Sequence, residues 1–175
     1  MTQDKNLPLK IGLTLGTTLG MVVISIGIIR YKTGMILRDD QTLSYVYWLL
    51  FAFSIFFAVS RFRKLDAPSF LLGQTIKIGI FAGLVSGALY TLYIVILNNY
   101  IVPDLSSKIA HYYEQELTSN SSELSKEDLI DSMTITKLNP AVRGFIYTLV
   151  CMIFGTVYSV LSTIILKRLH GVRIK

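Results

Sequence analysis

Few side chains in this sequence could do chemistry, and they are scattered. His111 and His170 are its two histidines and Cys151 its single cysteine. A metal centre or a proton relay needs such groups gathered at one point, and their spacing matches no known ligand pattern. Glu114, Glu116, Glu123, Glu127, Asp128 and Asp131 are close together in sequence but lack the spacing of a calcium loop. They read as a solvated face. No serine stands in a G-x-S-x-G frame, and neither an H-E-x-x-H pair nor a phosphate-binding loop is present. A lipid-modifying enzyme would need an acid–base pair with positioned roles, and none can be placed. The expectation is a protein that is not an enzyme, with no catalytic residue, no metal and no cofactor. Lys77 is the one ionisable residue clearly inside an apolar block, where its long stem can carry the ammonium back to a membrane interface.

The elements that would position these residues are written for a bilayer. The chain has 175 residues, 52% apolar and 16% charged, with a mean hydropathy of +0.55. That composition excludes disorder and argues against a soluble domain. Ile11 to Ile29 contains no charge and, as a helix, spans on the order of 29 Å, enough to cross. Lys5 and Lys10 precede it as in a signal peptide, but the stretch is long and no small-residue cleavage site follows before Arg30. Further blocks cover 42–60, 70–97 and 140–166, the last opened by Asn139 as N-cap and Pro140 at the first helical position. Cys151 falls within that block as a small buried hydrophobe. The expected fold is all-α: one integral domain over 1–175, a four-helix transmembrane bundle with an amphipathic helical insertion at 98–139 between the third and fourth spans.

Orientation follows from the flanks. Seventeen Lys and Arg against eleven Asp and Glu give +6. With the N-terminus cytoplasmic, the inner segments net +8 and the outer ones −2, which by the positive-inside rule puts both termini in the cytoplasm. Tyr31, Tyr45, Tyr47, Trp48, Tyr93, Tyr100, Phe145 and Tyr147 then lie near the outer headgroups as an aromatic belt. Because the basic residues sit at the ends of apolar blocks, their partner is the bilayer, including anionic lipids, rather than nucleic acid. Arg61, Arg63, Lys64, Lys167 and Arg168 form the inner-face cluster for contact with lipid or a partner protein.

The connection from Asn98 to Lys137 is mostly polar and carries seven acids. It is too long for a turn and too poor in apolar residues for a domain. Ile109, Tyr112, Tyr113 and Leu117 are spaced as one apolar face of a first short helix, which Asp104, Ser106 or Ser107 could cap. Ser125 with Asp128 resembles a capping box opening a second, through Leu129, Ile130 and Met133. Glycines mark the first and third spans: Leu9-Lys10-Ile11-Gly12-Leu13 with Gly16 and Gly20 aligns with Ile76-Lys77-Ile78-Gly79-Ile80 with Gly83 and Gly87. That alignment suggests two transmembrane hairpins in the same orientation. Gly12, Gly16, Gly20, Gly79, Gly83 and Gly87 are the expected helix-packing residues, either between the first and third helices or in an oligomer contact.

Several of these features occur together in a known family. Gly73-Gln74 with Lys77 and Gly79 opens the third helix, the run from Asn98 ends in Tyr100-Ile101-Val102-Pro103-Asp104, and Asn139-Pro140 starts the last helix. In this order they resemble a bacterial family of small four-helix inner-membrane proteins catalogued as a domain of unknown function, with Val102 where that family's pattern has Asn. The resemblance implies the bacterial inner membrane and adds nothing about activity. Packing signals without polar groups in the spans point to a non-enzymatic accessory or scaffold subunit of a membrane complex. The alternative is a small oligomeric transporter or channel.

Overall fold

The structure, a computed structural model, describes residues 6–36, 42–65, 71–118, 134 and 138–169. Among the described residues the main helices are α1 (Leu7–Lys32), α2 (Thr42–Leu65), α3 (Leu72–Ile96, continued by a π turn over Leu97–Ile101), α4 (Leu105–Thr118) and α5 (Pro140–Leu169). All but α4 are long and apolar enough to cross a membrane. The second short helix expected near Ser125 lies outside the described residues. α1 and α3 run one way and α2 and α5 the other. Leu7 and Leu169 therefore lie at one end of the bundle, and α4 lies at the opposite end.

Local sequence explains where these helices begin and stop. α1 opens with Pro8 in its first turn, where no amide partner is needed, and ends just before Gly34, whose φ of 73° suits a residue without a side chain. Asn139 caps α5 as expected, its Oδ1 accepting a hydrogen bond from the Ala141 amide at 2.9 Å. Each spanning helix outruns its apolar block, because the basic flanks around Arg30, Arg63 and Lys167 stay helical where they meet the interface. The larger departure is in α3. The polar pair Asn98-Asn99 reads in the sequence as the start of a connection, yet the π turn carries the helix to Ile101, with the Val102 amide donating to the Leu97 carbonyl at 2.8 Å. Pro103, which cannot continue the ladder, follows. The insertion therefore starts after Ile101, and Asn98 belongs to the helix.

α3 is the central helix. On one side it meets α5 at backbone distance: a Cβ on Gly79 would collide with the Gly155 carbonyl, one on Gly83 with the Cys151 carbonyl, and one on Gly87 would lie 2.6 Å from Thr148 Cα. Threonine pairs bracket this contact, Thr163 with Thr75 at 2.8 Å and Thr91 with Thr148 at 3.0 Å. On its other side α3 meets α1, where a Cβ on Gly12 or Gly16 would approach the carbonyls of Ile78 or Ala82 to 2.9 and 2.8 Å. The two glycine stripes thus do not face each other. The stripe on α1 turns to α3 and that on α3 turns to α5, so the aligned segments share a direction but not a partner.

α2 packs differently. Tyr47, Phe51, Ile55, Val59 and Phe62 recur every three or four residues and are all 0–1% exposed. They fill the space beside α1 and α5 together with Leu19, Val23 and Leu166. The opposite face of α2, with Tyr45, Leu49, Phe53 and Phe57, is exposed on the outside of the bundle as a lipid-facing surface should be.

Gly83→Ala should force α3 and α5 apart and cost about 1–3 kcal/mol, as overpacking does. Gly73, with nothing within 4 Å of its added Cβ, is the control. Gly73→Ala should leave stability within about 1 kcal/mol of the parent, on the stabilising side. Thermal unfolding of the two variants in detergent checks the contrast.

Candidate functional site

A cavity of about 380 Å³ opens at the α4 end, with walls from α1, α2, α3, α4 and α5. Its polar content is unusual for the interior of an apolar bundle. Arg30 and Arg143 line it together with Ser44, Asn98 and five tyrosines. Trp48, the single tryptophan of the chain, is also in the wall.

Each of these groups arrives by a simple route. Tyr90, Tyr93, Leu97 and Asn98 share one face of α3, and Arg143 and Tyr147 stand one turn apart on α5. The rings of Tyr90 and Tyr147 meet with centroids 4.4 Å apart, and Trp48 reaches Tyr147 at 6.0 Å. Gly27 admits the Tyr93 ring against α1, since a Cβ there would crowd it. α4 closes one side: its apolar face, Leu105, Ile109 and Tyr113, packs on Leu97 beside Tyr93. Of the capping candidates for this helix, Asp104 supplies the carbonyl that accepts from the Lys108 amide, at 2.9 Å. Ser106 lies inside the helix and uses its hydroxyl elsewhere.

That hydroxyl is part of a junction of three helices. Asn98, 6% exposed, donates from Nδ2 to the Ile94 carbonyl at 3.0 Å. Its Oδ1 accepts from Ser106 Oγ at 2.9 Å and from Arg143 Nη2 at 3.3 Å, and Arg143 Nη2 also reaches Ser106 Oγ at 3.2 Å. The guanidinium of Arg143 is thereby tied to α3 and α4 through neutral groups. Among the described residues, Arg143 Nε and the hydroxyls of Tyr47 and Tyr93 are buried and complete no hydrogen bond of good geometry. Tyr47, at 1% exposure, lies deepest, beside Ser86, Tyr147 and Cys151. Arg30 donates to Ser44 Oγ at 3.3 Å across the α1–α2 connection.

The residues singled out in the sequence lie elsewhere. Arg61, Lys64 and Arg168 are exposed at the terminal end, while Arg63 is half-buried and donates to the Leu166 carbonyl at 3.3 Å. A second concavity of about 560 Å³ sits at that end between α1 and α2, with Lys10 and Arg61 on its rim and Leu7, Ile11 and Phe57 in its wall. Lys77 is exposed on the flank of α3. His111 is exposed on α4, His170 lies outside the described residues, and no group of three or more His, Cys, Asp or Glu gathers among the described ones. Sequence reasoning missed the α4-end cavity because it counts Arg143 as a flanking charge and Tyr47, Tyr93 and Tyr147 as an interfacial belt. The belt in fact divides: Tyr45, Tyr100 and Phe145 face outward, whereas Tyr47, Trp48, Tyr93 and Tyr147 line the cavity. The i, i+4 spacing of Arg143 and Tyr147 was the available signal.

Four helices long and apolar enough to span define a multi-pass helical membrane protein. The chain belongs to the family described as "Protein of unknown function (DUF4199)", whose profile matches residues 13–168. No curated protein and no solved structure matches it.

Asn98→Ala removes the acceptor shared by Ser106 and Arg143. It should cost about 1–3 kcal/mol, the range for leaving a buried donor unmet. Hydrogen exchange should speed up over Leu105–Thr118 and stay unchanged across the α3–α5 contact at Gly79 and Gly83. Exchange mass spectrometry of the detergent-solubilised protein reads both segments together.

Proposed function

We propose that this chain is a non-enzymatic accessory or scaffold subunit of a membrane complex, seated in the bacterial cytoplasmic membrane with both termini in the cytoplasm. The observation that carries this reading is the filled cross-section of the bundle. Between the cavity at one end and the groove at the other, Leu19, Phe51, Ile55, Ile78 and Ala82 are buried at 3% exposure or less. Through the same layer, α3 touches α5 backbone to backbone. A continuous polar path through one chain would have to break this layer, so groups available for recognition are left at the two ends. At one end these are the exposed faces of α4, and at the other the basic residues Arg61, Lys64, Lys167 and Arg168, each worth about 1 kcal/mol toward anionic headgroups.

A small oligomeric transporter or channel is the second reading, supported by the basic cavity at the α4 end. It has lost one of its supports. The glycine stripes that an oligomer would use lie inside the chain, between α1 and α3 and between α3 and α5.

Extraction of a tagged copy from its native membrane in mild detergent, followed by mass determination, should recover a second protein in fixed stoichiometry. A lone homo-oligomer that conducts solute flux in proteoliposomes would overturn the scaffold reading. Orientation has its own check: single cysteines at Ser122 and Lys175, in a Cys151→Ala background, should be labelled by an impermeant reagent from outside only at the former. The opposite pattern would invert the topology.

A further inference from the structure

We infer that the α4-end cavity is a binding site for an oxyanion, a carboxylate or phosphate group carried on a small apolar or aromatic body. This goes beyond the scaffold reading and does not depend on it. Two arginines line it and no aspartate or glutamate among the described residues does. The hydrogen bonds of Arg143 run to Asn98 and Ser106, both neutral, so its charge is held in place without being compensated by them. Such an arrangement is costly in an apolar setting unless an anion completes it.

The groups left over agree in sign. Arg143 Nε–H can only donate, and the buried hydroxyl of Tyr93 carries a donor that completes no bond among the described residues. These two donors, one of them on a fixed guanidinium, call for a ligand rich in acceptors, and a planar guanidinium is the side chain best matched to carboxylate or phosphate oxygens. The remaining wall defines the rest of the ligand. Trp48, Tyr90 and Tyr147 present ring faces, and Val23, Ile26 and Ile94 present aliphatic surface, within about 380 Å³, at the lower end of small-molecule sites. The oxyanion could be a soluble metabolite's or the headgroup of a lipid reaching in from the bilayer, and the chemistry at Arg143 is the same.

Trp48 is a built-in reporter, being the chain's single tryptophan and part of the wall. The full chain in phosphatidylcholine nanodiscs is titrated with benzoate, phenyl phosphate and, as the neutral control, benzamide, while Trp48 fluorescence is followed. A parallel series of discs contains rising fractions of phosphatidic acid. The expected result is a saturable change with an anionic probe and none with benzamide, weakened about tenfold or more in Arg143→Gln. Tyr93→Phe, which removes one hydroxyl and leaves the ring packing, should weaken it about threefold or more. It carries the comparison if Arg143→Gln elutes as an aggregate. Saturation by the free anions identifies a soluble ligand; a response to phosphatidic acid alone, with the same dependence on these side chains, identifies a lipid headgroup. No response in either series, or a response that the variants leave unchanged, overturns the proposal.

Discussion

The approach of α3 to α5 is the constraint on which the rest of the bundle depends. In a bilayer the surroundings are as apolar as the helix surfaces, so burying Leu or Val against another helix gains little over leaving it in lipid. What remains is close packing and the few hydrogen bonds that helices can exchange. At Gly79 and Gly155 each backbone occupies the space that a Cβ on the other would need. Thr75–Thr163 and Thr91–Thr148 then hold the register at either end of the contact. α1 uses the other face of α3 in the same manner through Gly12 and Gly16.

α2 joins by the opposite means. Its large side chains Tyr47, Phe51, Ile55 and Phe62 fill the space that α1 and α5 leave around α3. Small residues draw three helices together and large ones fit the fourth beside them. Toward the α4 end, large rings stand beside the small residues and the packing opens. Level with Thr91 and Gly144, beside that contact, stand Tyr90, Tyr93 and Tyr147, and the cavity lies among them with α4 along one side.

Much of this was legible in the sequence because it depends on neighbours in the chain. Four long apolar blocks can only be helices in a bilayer, since every backbone amide must find its partner within the segment. Asn139-Pro140 marks the start of α5 by local capping chemistry, and it does so in the structure. Asn98 shows where local reading fails. Two asparagines and a following proline look like the end of a span, but a π turn keeps Asn98 helical and buries it as the acceptor for Ser106 and Arg143. Tyr45 and Tyr47 show the same failure on α2: two aromatic neighbours in an interfacial stretch, one 72% exposed and the other 1%. Aromatic composition marks the membrane boundary without saying which rings turn inward.

The sequence by itself determined the class of protein, the number and rough bounds of its spans, and the presence of glycine stripes that must meet something. Those properties follow from hydropathy, charge and local backbone rules, each of which acts over a few turns of helix. Only the tertiary structure decided that the stripe on α1 meets α3 while that on α3 meets α5, and that Arg143 points into a tyrosine-lined cavity with Asn98 and Ser106 as its partners. The physical reason is that a stripe or a lone arginine states a requirement without naming what meets it. A glycine needs a close neighbour, and a guanidinium needs acceptors. Which segments supply them depends on how four helices of nearly equal hydropathy share their faces, and that is settled by the fit of side chains far apart in the chain.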